Sequence, residues 1–239
     1  MKILGIECTA SPVSVALYDD GRLTAEYFLN QKVTHSQTLL PMCENLLKMC
    51  GVKVNEIDSF AVTAGPGSFT GVRIGISAVK GLAQGLNKPC VPVSVLEAMA
   101  HSMKVSECYV CTAMDARCSQ VYNALFKVSG GRPERLCDDR ALMIDELIPD
   151  LHSLFESDPE RPIFLVGDGA EMLKSVLSAK GVGFVKVAPE NVKLQRASGV
   201  CAAAEQLIQD GKTVTAKELL PFYLRLPQAE RELKKRQLK

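Results

Sequence analysis

The pattern of apolar and polar positions along the first hundred residues predicts short strands that alternate with amphipathic helices. Strand-like segments are apolar runs or alternate apolar with polar residues, and they cover residues 3–7, 11–17, 22–29, 59–62 and 91–94. Helical spacing of apolar residues covers residues 34–50, 72–85 and 95–103. Ser94 precedes the last of these helices and is expected to cap it. This mixture of elements predicts an α/β fold.

The second half of the chain repeats the same order of elements. Strands are predicted at residues 109–114, 119–128, 133–142 and 163–166, and helices at residues 145–155 and 170–177. A repeat spacing of about 105 residues is far longer than that of solenoid repeats and indicates an internal duplication. We therefore expect two related lobes with a cleft between them. The predicted divisions are a first lobe at 1–101, a second lobe at 102–210, and a C-terminal segment at 211–239 that is free to pack back on the first lobe.

Two of the predicted helices carry more apolar or small residues than packing on one sheet requires. In the helix at residues 34–50, Leu39, Cys43 and Leu46 recur at helical spacing, and further apolar residues broaden the face. The helix at residues 72–85 begins beside Gly71 and Gly75, whose spacing permits close approach of another helix or a sheet. We expect a partner to cover part of this surface. The alternative is that both helices are buried within the chain.

A glycine-rich turn joins the strand at residues 59–62 to the following helix. Its predicted functional residues are Gly65, Pro66, Gly67, Ser68, Thr70, Gly71 and Arg73. The turn lacks the lysine of the common phosphate-binding loop, and its glycine spacing differs from that of the dinucleotide-binding motif. Two interpretations remain: a tight packing corner, which the spacing favours, or a site for an anion or for a closely approaching partner backbone.

Acidic residues follow corresponding strands of the two repeats. Glu7 ends the first strand, and Asp115 ends the first strand of the second repeat. An acid at this place can face the cleft and hold a metal-bound phosphate, and the alternative is a strand end that faces solvent. Gly167 and Asp168 begin the glycine turn of the second repeat.

Composition narrows the possible functions. The formal charge of +1 provides no global field for nucleic acid, so RNA binding requires another subunit or a local patch. Nine cysteines and no recognisable leader lead us to expect reduced thiols and a cytoplasmic protein. No apolar run approaches the about 20 residues that span a bilayer. The charged tail at residues 228–239 is expected to be solvated, with a basic arm on RNA phosphate as the alternative.

Catalytic motifs are not evident in the sequence. The three histidines, His35, His101 and His152, form no paired-histidine metal motif, so no metal site is expected in this chain. Ser68 lacks the context of a nucleophilic serine. We expect a nucleotide-type scaffold with few catalytic parts.

Several segments resemble the TsaB (YeaZ) family of tRNA threonylcarbamoyladenosine biosynthesis proteins. Residues 64–75 are nearly identical to the family signature, and residues 35–41, 115–122, 167–170 and 221–225 match in the same order. Glu7 departs from the family, which usually has Asp there. The resemblance implies two ribonuclease-H-like lobes in the actin-like, sugar-kinase-like (ASKHA) duplication.

The resemblance also implies a non-catalytic subunit. Members pair with TsaD, the related subunit that binds metal and transfers threonylcarbamoyl to N6 of the adenosine beside the tRNA anticodon, and the ATPase TsaE joins this pair. ATP or ADP and metal are then expected at the partner subunits or the shared interface, and tRNA only through the complex. The same surface is expected to support a homodimer when TsaD is absent.

The family's pairing surface corresponds to the two helices with apolar or small-residue excess. It is expected to include His35, Leu39, Met42, Cys43, Leu46, Phe69, Val72, Gly75 and Val79. Two other functions remain as alternatives. One is a metal-dependent peptidase, because the wider family has carried a glycoprotease label. The other is an autonomous ATPase or small-molecule kinase that uses Glu7 and Asp115.

Overall fold

A five-stranded sheet forms the centre of the first half of the chain. The computed structural model describes residues 1–103, 107–117 and 119–225. In chain order the strands are β1 (Lys2–Glu7), β2 (Val13–Asp19), β3 (Arg22–Leu29), β4 (Ser59–Gly65) and β5 (Cys90–Ser94). Their order across the sheet is β3-β2-β1-β4-β5. Strand β1 runs antiparallel to β2 and parallel to β4, so a meander continues into parallel crossovers.

Two helices cover one face of this sheet because each presents an apolar stripe to it. Helices α1 (His35–Met49) and α2 (Phe69–Leu86) share one core with the strand residues Ile6 and Phe60. Helix α3 (Val95–His101) follows β5. The Ser94 hydroxyl accepts the N–H of Glu97 at 3.3 Å, which is the cap that the sequence predicted.

The second half of the chain has a six-stranded sheet of related topology. Its strands are β6 (Cys108–Asp115), β7 (Gln120–Ser129), β8 (Arg132–Arg135), β9 (Arg140–Met143), β10 (Ile163–Val166) and β11 (Val185–Val187). Strand β6 pairs antiparallel with β7 and parallel with β10, as β1 does with β2 and β4. Helices α4 (Ile144–Ser157) and α5 (Ala170–Ala179) occupy the places of α1 and α2. The predicted α/β fold of two related lobes is confirmed by this shared topology.

One predicted strand is two strands in the structure. The segment predicted at residues 133–142 forms β8 and β9, which both pair with β7. Between Phe126 and Asn123 strand β7 advances three residues, while the opposite segment advances five, from Arg135 to Arg140. The segment between β8 and β9 therefore has two more residues than β7 can pair with, and part of it bulges out of the sheet. Asp139, which lies in this segment, accepts hydrogen bonds from Ser94 and Arg135.

The last helix of each lobe packs on the sheet of the other lobe. Helix α7 (Ala197–Gln209), which the sequence pattern did not predict, contacts β1, β2 and β5 through Val200 and Cys201. Helix α3 packs against β6 and β7 through Leu96 and Met99. Helices α3 and α7, which lie just before the predicted boundaries at residues 101 and 210, thus each pack on the sheet of the other lobe. The short β11 and α6 (Glu190–Lys193) were also missed.

Residues 211–225 return to the first lobe. Val214 forms an antiparallel bridge with Cys90, and Leu219 joins the core that α1 and α2 cover. The predicted charged tail, residues 228–239, lies outside the described residues. Within the described ranges, no helix is both long and apolar enough to cross a bilayer.

Candidate functional site

The glycine-rich turn between β4 and α2 packs against the chain's own backbone. Gly65 and Gly67 have φ angles of +132° and +154°, which glycine adopts far more readily than other residues. A Cβ at Gly65 would lie 2.1 Å from the carbonyl oxygen of Phe222, and one at Gly67 would lie 2.6 Å from that of Thr9. Ser68 donates its N–H to the Thr9 carbonyl at 2.7 Å, and its hydroxyl caps α2. The turn therefore packs closely against the chain's own backbone, and its residues 66–70 also line the cleft beside it.

Six of the nine residues predicted to face a partner are buried inside the first lobe. They lie on the inward sides of α1 and α2: Leu39, Cys43, Leu46, Val72, Gly75 and Val79. A Cβ at Gly75 would lie 2.9 Å from the sulfur of Cys8. Except for Leu39, which also lines the groove described next, these residues pack within the chain's own lobe rather than on an exposed face. Helical spacing identified the apolar face of each helix, but it did not reveal that the chain's own sheet covers that face.

The outward sides of α1 and α2 form a shallow groove. It is lined mainly by small and apolar residues: Ser36, Leu39, Leu40, Phe69, Thr70, Arg73, Ile74, Ser77 and Ala78. Leu40 is 48% exposed. The remaining predicted interface residues, His35, Met42 and Phe69, are half-buried. This groove is the candidate partner surface.

Phe69 lies at the boundary between the groove and the cleft, because it lines both. Its ring stacks on Tyr223 with the centroids 4.7 Å apart, and the Arg73 guanidinium carbon lies 3.9 Å from the Phe69 centroid. Arg73 Nε donates to the Tyr223 hydroxyl at 3.0 Å. We call these three side chains the Phe69–Arg73–Tyr223 stack. No sequence pattern indicates a role for Tyr223; the one signal is Phe69, a large apolar ring in a polar turn, which needs another group to cover it.

A cleft of about 570 Å³ lies between the two lobes. Its walls come from the turns after β1, β4 and β6 and from residues 222–225. Asp115 is exposed there, and its Oδ1 accepts the N–H of Arg117 at 2.7 Å. Asp168 also lines the cleft, and its Oδ1 accepts a hydrogen bond from Gln195 Nε2 at 2.7 Å. The structure thus places two of the three predicted acids in one cleft.

Gly167 allows Asp168 to reach this position. Its φ angle is +121°, and a Cβ there would lie 2.2 Å from the carbonyl oxygen of Ala113, so the turn after β10 passes close over β6. The protein atoms around the Asp168 carboxyl remove part of its hydration and raise its pKa, while the hydrogen bond from Gln195 opposes this increase. The nearby charge of Asp115 adds to it. Arg117 and Arg225 line the same cleft, so its described walls carry charges of both signs.

Glu7 is enclosed rather than exposed to the cleft or to solvent. It is fully buried, and its Oε1 accepts both the N–H and the hydroxyl of Thr9 at 2.6 Å. Burial raises the pKa of the Glu7 carboxyl, and the hydrogen bonds from Thr9 oppose this shift. Thr9, not Glu7, lines the cleft. Both alternatives considered for Glu7 are therefore wrong, because the turn after β1 folds over the strand end.

Glu7→Gln is expected to flatten the pH dependence of stability. The folded-state pKa of Glu7 lies above its ordinary value of 4.5, so the folded chain keeps this proton to a higher pH than the unfolded chain. The stability that Glu7 contributes is complete below the unfolded pKa and is lost as pH rises through the folded pKa. Above pH 4.5, the free energy of unfolding measured with urea should fall more steeply with rising pH for wild type than for Glu7→Gln. Glu44→Gln, at an exposed site on α1, should follow wild type, and parallel curves for Glu7→Gln would contradict the raised pKa.

The predicted fold class implies a site for a metal-bound nucleotide. The described residues fit such a ligand poorly. The cations among the described residues that line the cleft are Arg117 and Arg225, with no lysine, and Glu7, the acid predicted to hold a metal, lies behind Thr9. Outside the gaps at 104–106, 118 and 226–239, no three His, Cys, Asp or Glu side chains cluster closely enough to hold a metal ion.

Comparisons with known proteins agree with one another over nearly the whole chain. The family model described as TsaD, tRNA N6-adenosine threonylcarbamoyltransferase, matches residues 22–233. The chain is 31% identical over 237 residues to the tRNA threonylcarbamoyladenosine biosynthesis protein TsaB of Bacillus subtilis, which covers 96% of each chain. It is 32% identical over 227 residues to TsaB of Escherichia coli, which covers 94% of this chain and 95% of that protein.

A solved structure gives the same result. YeaZ from Pseudomonas aeruginosa matches with a TM-score of 0.75 at 27% identity, covering 93% of this chain and 99% of that one. The shared sequence extends over both lobes and the glycine-rich turn, so the similarity is not confined to a motif. The chain therefore belongs to the TsaB (YeaZ) family of tRNA threonylcarbamoyladenosine biosynthesis proteins, within the wider TsaD family.

Proposed function

We propose that this chain is a non-catalytic scaffold subunit in the biosynthesis of N6-threonylcarbamoyladenosine, the modified adenosine beside the tRNA anticodon. Membership of the TsaB family supports the pathway. The observation that carries the scaffold role is the groove between α1 and α2, which leaves Leu40 exposed beside Phe69 and Ile74. Covering apolar surface of this kind gains about 25 cal/mol per Å².

The proposed partner is TsaD, the transferase whose family model matches this chain. Two subunits with related lobes carry helices at equivalent positions, so α1 and α2 can pair with the matching helices across a pseudo-twofold axis. A second copy of this chain offers the same surface and would form the homodimer expected without TsaD. Arg73, at the edge of the groove, supplies a cation for an acidic residue of the partner.

The chemistry is assigned to the partners. We expect ATP or ADP and the metal ion at TsaD, TsaE or the shared interface, because the described cleft of this chain suits a metal-bound nucleotide poorly. We expect tRNA to be held through the complex, since a formal charge of +1 gives this chain little attraction for phosphate.

Reconstitution tests the proposed role. Purified TsaD, TsaE, the enzyme that makes the threonylcarbamoyl-adenylate donor, and unmodified tRNA are combined with or without this chain. The modified nucleoside is then measured by mass spectrometry. We expect modification only when the chain is added, and none from the chain alone. Modification at an equal rate without the chain would refute the scaffold role, and tRNA modification by the chain alone would identify it as an enzyme.

A further inference from the structure

Residues 222–225, which we call the strap, join the two lobes along one side of the cleft. In the first lobe, the N–H of Phe222 donates to the carbonyl of Ala64 at 2.7 Å. In the second lobe, the Arg225 guanidinium donates to the carbonyl of Ala116 in the turn after β6. All four strap residues line the cleft. The strap is therefore a noncovalent link between the lobes.

Tyr223 connects the strap to the groove. It belongs to the Phe69–Arg73–Tyr223 stack, and its own side chain lines the cleft. Phe69 lines both the cleft and the groove, and Arg73 lines the groove. A partner in the groove can thus contact Phe69 and Arg73 while Tyr223 contacts the same two side chains from the cleft.

The strap is held by side-chain stacking and single hydrogen bonds rather than by regular structure. Residues 221–225 form neither helix nor strand, and Phe222 is exposed. Segments of this kind open locally at a free energy well below that of global unfolding. A modest change in the stability of the stack therefore shifts the fraction of molecules in which the strap is attached.

We propose that partner binding in the groove tightens the strap and so couples the first lobe to the turn after β6 in the second lobe. The inference rests on the proposed function, because it takes the groove as the partner surface. A partner that covers Phe69 and Arg73 fixes their side chains, which lowers the entropy cost of stacking for Tyr223. The contact between Arg225 and Ala116 then becomes more populated. Linkage requires that an attached strap raise partner affinity by the same factor.

Hydrogen exchange of the full chain, with and without TsaD, tests this coupling. The amides of Ala116 and Gln120 report on the turn after β6, because they donate within it to the carbonyls of Gln120 and Arg117. We expect TsaD to slow the exchange of both amides by about fivefold or more. Tyr223→Ala removes the stack, so it should abolish this protection and weaken TsaD binding by a similar factor.

Two further variants separate the steps. Arg225→Ala should abolish the protection while leaving the Phe69–Arg73–Tyr223 stack intact. Leu220→Ala, at a 66% exposed site just before the strap, is the matched control and should behave as wild type.

Each outcome decides one question. Protection of the Ala116 and Gln120 amides that persists in Tyr223→Ala would overturn the coupling, because TsaD would then act on the turn without the strap. Unprotected amides in wild type with TsaD bound would overturn it equally. Failure of TsaD to bind wild type at all would instead refute the proposed function, and the inference with it.

Discussion

Leu40→Glu is expected to abolish TsaD binding without disturbing the fold. The side chain is 48% exposed in the groove, so a carboxylate is hydrated in the free chain. A partner that covers the groove would strip this hydration from an unpaired charge, at a cost of about 3 kcal/mol or more. Binding should therefore weaken at least about a hundredfold. Isothermal titration calorimetry with TsaD measures the loss, and thermal unfolding of the free variant checks the fold.

Met49→Glu is the matched control for this prediction. It places the same charge on the last residue of α1, which is 78% exposed and outside the groove, so TsaD binding should be unchanged. Leu39→Glu is a poor substitute because Leu39 is 1% exposed, and a charge there would destabilise the lobe itself. Tight TsaD binding by Leu40→Glu would show that the groove is not the partner surface.

Gly71→Ala is expected to destabilise the chain by about 3 kcal/mol or more. A Cβ at this position would lie 2.1 Å from the carbonyl oxygen of Cys8, which is backbone and cannot rotate away. Either α2 or the turn after β1 must move to relieve this overlap. Urea unfolding should show a lower midpoint.

Gly81→Ala is the control on the same helix. Apart from the neighbouring residues and backbone of α2 itself, no atom lies within 4 Å of a Cβ placed there, so alanine should stabilise α2 by about 1 kcal/mol through its higher helix propensity. A decrease in the free energy of unfolding for Gly71→Ala and an increase for Gly81→Ala would support the described packing of α2. A Gly71→Ala variant as stable as wild type would show that α2 does not approach residue 8 so closely.

Much of the fold could be predicted from the sequence because most strands are buried runs and most helices have a clear apolar stripe. The three-residue strand β11 and the four-residue helix α6 are too short for either signal. Helix α7 was missed for a different reason. Its buried residues are mainly Ala, Gly and Cys, which allow it to lie close to α3 and the sheet. Small residues around a helix do not produce the strong apolar contrast on which periodicity depends.

The candidate site was predicted less well because its contacts join distant parts of the chain. The duplication predicted that Glu7 and Asp115, at matching strand ends, would share a cleft, but only Asp115 lines it, together with Asp168 after the neighbouring strand β10. The enclosure of Glu7 depends on the path of the next turn, which spacing does not encode. The role of Tyr223 depends on a segment that returns to α2 from 150 residues away. Strand and helix patterns are local, so they do not identify such contacts.

The exchange of α3 and α7 has a consequence for any attempt to divide the molecule. A fragment that stops after α3 would carry a helix whose apolar surface belongs to the missing half, and it would lack the helix that shields its own sheet. The converse holds for a fragment that begins at β6. The two halves are thus interlocked, and a gene split between them would yield polypeptides that gain native structure only by complementing each other.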